Sequence, residues 1–320
     1  MKLGGRGSLR GHRALCLGVI AGLLAAALPA RSGGQPTSGE LQGRGRWLYG
    51  AACATCHHGT GNGAGPAARH LAVAPTSLAA GSYKFTSTPA GGLPTGEDLD
   101  RTIARGVPGT MMPGFEGLLT EPDRRAVAAY LMSLTPAFAR WGVPDSIAVA
   151  PEPEDVAASA AAGQQLFVVM ECYACHGVDG RGRGPQSEGL KDDEGHAIRP
   201  RDFTTGWFKS GGEPVGVYKA IHTGLNGTPM VAYGDALLLG GDSVTDLAPY
   251  ATAYDPVALE GLRSWLSEQP LEAELSTMAR LDLEGLVGDR VWHLVHYVQS
   301  MKRPRNPLLA WLLSTPDQTE

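Results

Sequence analysis

The sequence predicts an all-α protein made of two tandem helical domains, the second of which carries an insertion before its last helix. Three observations predict this fold. A Cys-x-x-Cys-His pentapeptide occurs twice, at 53–57 and 172–176. A Gly-Thr segment that contains methionine follows each copy at nearly the same distance. Each half then reaches a stretch with apolar residues at helical spacing. The chain is therefore expected to contain two copies of one helical unit.

The two pentapeptides predict two covalently bound haem c groups, because Cys-x-x-Cys-His is the attachment signature of that cofactor. The two thiols on one turn can each form a thioether, and the next residue gives the iron a nitrogen ligand. Zinc and dithiol redox sites also use Cys-x-x-Cys, but both copies here carry the immediate His, and four of the five cysteines lie in these motifs. The predicted attachment residues are Cys53, Cys56, Cys172 and Cys175, and the predicted iron ligands in the motifs are His57 and His176.

Met112 and Met230 are the predicted second axial ligands of the two irons. They lie 55 and 54 residues after the histidines of their motifs, a spacing that two unrelated core methionines would not be expected to share. In the alignment of the two halves Met111 matches Pro229, which disfavours Met111. His222 is the alternative to Met230. A thioether opposite a His raises the reduction potential and suits electron transfer.

The N-terminus predicts export. Residues 1–30 combine basic residues, an apolar run of about fourteen residues and a small-residue cleavage site, as in a secretory signal peptide. An uncleaved membrane anchor is the alternative, although the run is short for a membrane span. Residues 31–39 are expected to form a flexible tether. We therefore expect a periplasmic or otherwise exported protein, with membrane contact only if the N-terminal segment is retained.

The first domain is expected over 40–135. Its first helix is predicted over 40–52, with Trp47 and Leu48 among its apolar contacts, and leads directly into the first pentapeptide. A Gly-rich loop follows, which allows a close approach of the backbone. The helix predicted over 121–134 carries an apolar stripe and is capped by Thr120. Residues 136–155, rich in Pro and Ala, are predicted to link the domains.

The second domain is expected over 156–302 and repeats this order. Its first helix is predicted over 156–171 and its last over 289–301, where valines and a leucine share one face. About 49 more residues separate the Met from the last helix than in the first domain, which predicts an insertion near 235–285. The insertion is expected either to cover a haem edge or bind a partner, or to be a plain surface excursion. Residues 303–320 form a predicted tail.

The repeat also relates the segments between each pentapeptide and its methionine. Pro75 precedes Lys84 by nine residues, as Pro200 precedes Lys209. Arg199 and Arg201 are candidates to pair with haem propionates, and the alternative is that both are solvated surface arginines.

On these motifs the chain resembles diheme members of the class I cytochrome c family. The resemblance covers 40–135 and 157–235 and returns near 289–301. It implies two His/Met-ligated haems, with backbone near Pro75 and Pro200 accepting a hydrogen bond from each motif imidazole. The tract 83–95 is also similar to c-type subunits of bacterial respiratory oxidoreductases.

The resemblance implies an electron carrier between respiratory redox proteins rather than an enzyme. The formal net charge of −5 disfavours nucleic-acid binding and suggests partners with a basic docking face. Two alternatives remain open. One is a diheme enzyme, similar to a cytochrome c peroxidase or a small-molecule dehydrogenase. The other is a redox-sensing or docking subunit whose insertion binds a larger complex.

Overall fold

The computed structural model describes residues 37–303, which lie within one compact unit. The predicted signal segment, most of the tether and almost all of the predicted tail lie outside these residues. The described helices are α1 Ser38–Ala52, α2 Ala54–His57, α3 Gly96–Arg105, α4 Glu121–Leu134, α5 Pro136–Trp141, α6 Val156–Val169, α7 Cys172–His176, α8 Pro214–Thr223, α9 Pro256–Ser267, α10 Glu272–Leu275 and α11 Arg280–Ser300. Within 37–303 there is no named strand, only one isolated bridge between Lys191 and Ala197, so the all-α prediction is confirmed. No helix between residues 37 and 303 has both the length and the apolar character needed to cross a bilayer.

Each half is built on a pair of crossed helices. In the first half α1 packs on α4, and in the second half α6 packs on α11. The crossings depend on Gly45 and Gly163, where an added Cβ would lie 1.9 Å from the carbonyl oxygen of Ala126 and of His293 respectively. Close backbone approach at each crossing therefore requires glycine.

Local sequence fixes the helix ends. Thr37 caps α1 through a capping box with Glu40, so the helix begins two residues before the predicted start. Thr120 caps α4 by accepting a hydrogen bond from the Asp123 amide at 3.4 Å. The bounds of α4 match the predicted 121–134.

Two predictions about the helices are corrected. The last helix begins at Arg280 rather than near residue 289, because the chain becomes helical before the apolar stripe starts. Trp47 is 71% exposed and makes no core contact of the kind expected. Leu48 and Tyr49 face the core of the first domain instead, since they lie on the side of α1 that contains Gly45.

The insertion is part of the second core rather than a plain surface excursion. Leu237, Leu262 and Leu266 are buried in the same cluster as the apolar residues of α6 and α11. Arg290 is 1% exposed, and one Nη of its guanidinium donates to the carbonyl oxygens of Leu237 and Leu239. Arg290 thus fixes the start of the insertion to the last helix, since a buried cation needs such partners.

Segments distant in sequence join the two domains. Lys84 forms an ion pair with Asp192 at 2.8 Å. Asn226 accepts from the Gly91 amide at 3.1 Å and donates to the Gly92 carbonyl at 3.0 Å. The predicted linker contributes as well. Its first residues form α5, and the Ile147 amide donates to a carbonyl of the first domain at 2.7 Å.

A buried polar chain ties the linker to the helix pair of the second domain. The Ser159 hydroxyl lies 2.8 Å from His293 Nδ1 and 2.7 Å from His296 Nδ1. His296 Nε2 lies 3.0 Å from a Glu152 carboxylate oxygen. All these groups are satisfied when His296 donates to Glu152, Ser159 donates to His296 and His293 donates to Ser159. Ser159 is therefore the central member of the chain.

We expect Ser159→Ala to lower the free energy of unfolding by about 2 kcal/mol, because a buried nitrogen of His296 and a partly buried nitrogen of His293 lose their partner. Chemical denaturation of the holoprotein measures the change. Ser300→Ala, at an exposed hydroxyl of α11, is the control, with an expected change within about 0.5 kcal/mol. Equal losses in the two variants would contradict the role given to Ser159.

Candidate haem sites

The first pentapeptide lies in one wall of a cavity of about 390 Å³ in the first domain. The predicted attachment residues Cys53 and Cys56, the predicted ligand His57 and the predicted second ligand Met112 all line this cavity. The rest of the lining is mostly apolar and comes from α1, α3, α4, the loop before α3 and the loop between α3 and α4, together with Lys209. Residues separated by more than fifty positions are thus brought to one apolar space.

The backbone at each pentapeptide is a short helix that begins at or just after the first cysteine. A hydrogen bond from the Gly63 amide to the His57 carbonyl, at 3.1 Å, closes the loop after the first motif, and the Gly182 amide repeats it to His176 at 2.8 Å. Added Cβ atoms at Gly63 and Gly182 would lie 2.5 and 2.4 Å from the carbonyl oxygens of Pro75 and Pro200. The glycines in these loops therefore allow close contact with the backbone segment beside each histidine.

The motif histidines are partly buried and held neutral. Burial lowers the pKa of His176 to about 4, against a smaller opposing effect of the Arg201 backbone. Burial also lowers the pKa of His57. A neutral imidazole is the form that binds a metal ion.

The two histidines differ in the hydrogen bonding of Nδ1, the ring nitrogen that would not bind the iron. His176 Nδ1 lies 3.4 Å from the carbonyl oxygen of Arg201, the residue after Pro200, as the resemblance implies. His57 Nδ1 is buried and has no hydrogen-bond partner in the described part of the chain. The Thr76 backbone lies close enough to raise the pKa of His57 but is not in hydrogen-bonding geometry with Nδ1.

The two methionine loops have the same local structure. The Met112 and Met230 amides donate to the hydroxyls of Thr110 and Thr228 at 3.1 and 3.2 Å. The Met112 and Met230 carbonyls accept from residues 107 and 225 at 3.1 and 2.9 Å. Met111 is 72% exposed. This agreement pairs Met112 with Met230, as the sequence repeat does.

The His222 ring, the alternative to Met230, stacks on Tyr218 with centroids 6.0 Å apart and lies against Gly234. Of the other predicted candidates, Arg199 is exposed, while Arg201 donates to the Trp207 carbonyl and to the Thr205 hydroxyl at 3.3 Å.

The partly buried motif cysteines do not have the features of reactive thiolates. Burial raises the pKa of Cys53 to about 11 and that of Cys172 to about 12. Between residues 37 and 303, no three His, Cys, Asp or Glu side chains are grouped so that they could hold a metal ion. Paired thiols, a neutral histidine and a methionine around an apolar cavity fit a covalently attached haem.

A family model described as cytochrome c matches residues 43–135 and again 160–251, more than half of the chain. The chain belongs to the cytochrome c family. Its two matched segments are tandem cytochrome c domains, and domains of this family bind haem c covalently and transfer electrons. The second match ends inside the insertion, before α11.

Two similar proteins extend this finding. Cytochrome c55X of Paracoccus denitrificans (strain Pd 1222) is 56% identical over 36 residues, which are 11% of this chain and 35% of that protein. A chain of the Kuenenia stuttgartiensis reducing HAO-like protein complex is 32% identical, with a TM-score of 0.63 over 81% of this chain and 96% of that chain. The chain therefore spans about a third of the curated relative but nearly the whole of the structural one.

Sequence reasoning named Lys84 and Lys209 only as markers of the repeat, yet both line the first cavity. It also passed over Gly45 and Gly163, which lie at the two helix crossings. Their similar distances from the first cysteine of each motif, eight and nine residues, were the signal that could have found them.

Proposed function

We propose that this protein is an exported diheme cytochrome c that passes single electrons between redox proteins of a respiratory chain. The observation that carries the proposal is the convergence of Cys53, Cys56, His57 and Met112 on one apolar cavity. Each bound haem would supply a one-electron couple. We place the second haem on Cys172 and Cys175, by the repeat.

Residues of this chain would hold each haem. The cysteines of each motif would form the thioethers, His57 and Met112 would bind one iron, and His176 and Met230 would bind the other. The apolar lining of the first cavity would exclude water and so favour the reduced state. With a histidine and a methionine held at each iron, no open position would remain for a substrate, which favours a carrier over a peroxidase.

The proposal is tested on the wild-type holoprotein by pyridine haem quantification and by its near-infrared spectrum. We expect two c-type haems per chain and a methionine-to-iron(III) charge-transfer band. Met112→Leu should remove the contribution of one site to this charge-transfer band. Met111→Leu should keep the contributions of both sites, because Met111 is exposed. A single haem, a high-spin signature or peroxide turnover by the wild-type protein would overturn the proposal.

A second candidate is a redox subunit of a larger assembly. The similar Kuenenia stuttgartiensis chain belongs to a protein complex, which favours this role. The insertion is a candidate docking element, but its buried leucines make its deletion an unsuitable test. Val257→Glu, at a side chain 82% exposed on α9, is the better variant. Loss of co-purifying subunits with both haems retained would support docking, and unchanged co-purification would oppose docking at α9.

A further inference from the structure

The first cavity is completed by a residue of the second domain. Lys84 and Lys209 both line it, although 125 residues separate them in the sequence. They occupy equivalent positions in the two domains, nine residues after Pro75 and Pro200. The domain interface therefore brings two matching lysines into the lining of one cavity.

The charges around these lysines are unbalanced. Lys84 pairs with Asp192, whose side chain is 5% exposed. In the described residues Lys209 has no acidic partner within ion-pair distance. Arg201 donates to neutral oxygens, and the charge of its neighbour Asp202 acts on it without an ion pair. The pKa of Lys209 is lowered chiefly by burial and further by the charges of Lys84 and Arg201. A partly buried ammonium group in such a setting needs an anion.

The expected occupant of the cavity supplies the missing anion. A haem carries two propionate groups on one edge, and the rest of the cavity lining is mostly apolar. The carboxylates would have to leave the apolar part and meet cations or water. Lys209 and Lys84 are the two lysines that line this cavity.

We propose that Lys209 of the second domain binds a propionate of the haem held in the first domain, with Lys84 beside it. This inference rests on the proposed haem at the first site. Two consequences follow. The first haem helps to hold the domains together, and the potential of the first site depends on the second domain.

The test is spectroelectrochemical titration of the holoprotein and of Lys209→Gln, after pyridine quantification has shown two haems in each. Loss of the cation leaves a propionate charge uncompensated, which disfavours the added electron and lowers the potential of the first site. Met112→His, which replaces the thioether ligand, identifies the redox wave of the first site. Lys209→Arg keeps the charge and should keep the wild-type potential.

Lys219→Gln is the matched control. Lys219 is a partly buried lysine of the second domain that interacts electrostatically with Glu97, Asp98 and Arg101 of the first domain, but it does not line the cavity. We expect Lys209→Gln to lower the potential of the first site more than that of the second. Lys219→Gln should leave the difference between the two potentials unchanged.

Three results would overturn the proposal. They are an unchanged first wave in Lys209→Gln, equal shifts in the Gln and Arg variants, and an equal shift in Lys219→Gln. Fewer than two haems in the wild-type protein would instead overturn the proposed function, and this inference with it.

Discussion

Replacing Cys53 and Cys56 together with alanine is expected to leave one covalent haem per chain instead of two. Without the two thiols no thioether can form in the first domain, while the second pentapeptide is untouched. The first cavity, about 390 Å³, would lose the group that fills it, so the first domain should also unfold at lower temperature. Pyridine haem quantification and intact mass measure the number of covalent haems, and calorimetry measures the unfolding temperature of the first domain.

Thr55→Ala is the control for this experiment. Thr55 lies between the two cysteines and is exposed, so its replacement should keep both haems. Retention of two covalent haems by the double cysteine variant would contradict the assignment of Cys53 and Cys56 as attachment residues.

Gly45→Ala is expected to destabilise the protein by about 3 kcal/mol, the cost of forcing extra volume into a well-packed contact. The added methyl group would lie 1.9 Å from the Ala126 carbonyl oxygen and 2.8 Å from the Tyr130 Cβ. Neither atom can move without shifting α4 away from α1. Denaturant unfolding monitored by far-ultraviolet circular dichroism measures the change.

The matched control lies two residues earlier on the same helix. At Gly43 an added Cβ meets nothing within 4 Å, so Gly43→Ala should stabilise the protein by about 1 kcal/mol through helix propensity alone. Effects of the same sign in the two variants would show that the crossing does not depend on a missing side chain. Gly163→Ala should repeat the loss of Gly45→Ala in the second domain, because its Cβ would meet the His293 carbonyl oxygen at the same distance.

The sequence by itself determined the all-α fold and the two tandem cytochrome c domains. It also selected the cysteines, histidines and methionines for the proposed haem sites. These features are local or repeated. Thioether attachment requires Cys-x-x-Cys-His within one turn, and an amphipathic helix shows its period along a single segment. The bounds of α4 and its Thr120 cap were predictable for the same reason.

Only the tertiary structure decided which of these residues meet, and which side chains are buried. Trp47 is a large apolar residue of the kind that sequence patterns place in a core. Gly45 fixes the side of α1 that meets α4, however, so Trp47 remains exposed. Arg290 looks like a surface residue in the sequence, yet it is buried because the insertion folds over it. Lys209 reaches the first cavity across the domain interface. Such contacts join residues far apart in the chain, and their energies depend on packing and desolvation that no local pattern encodes.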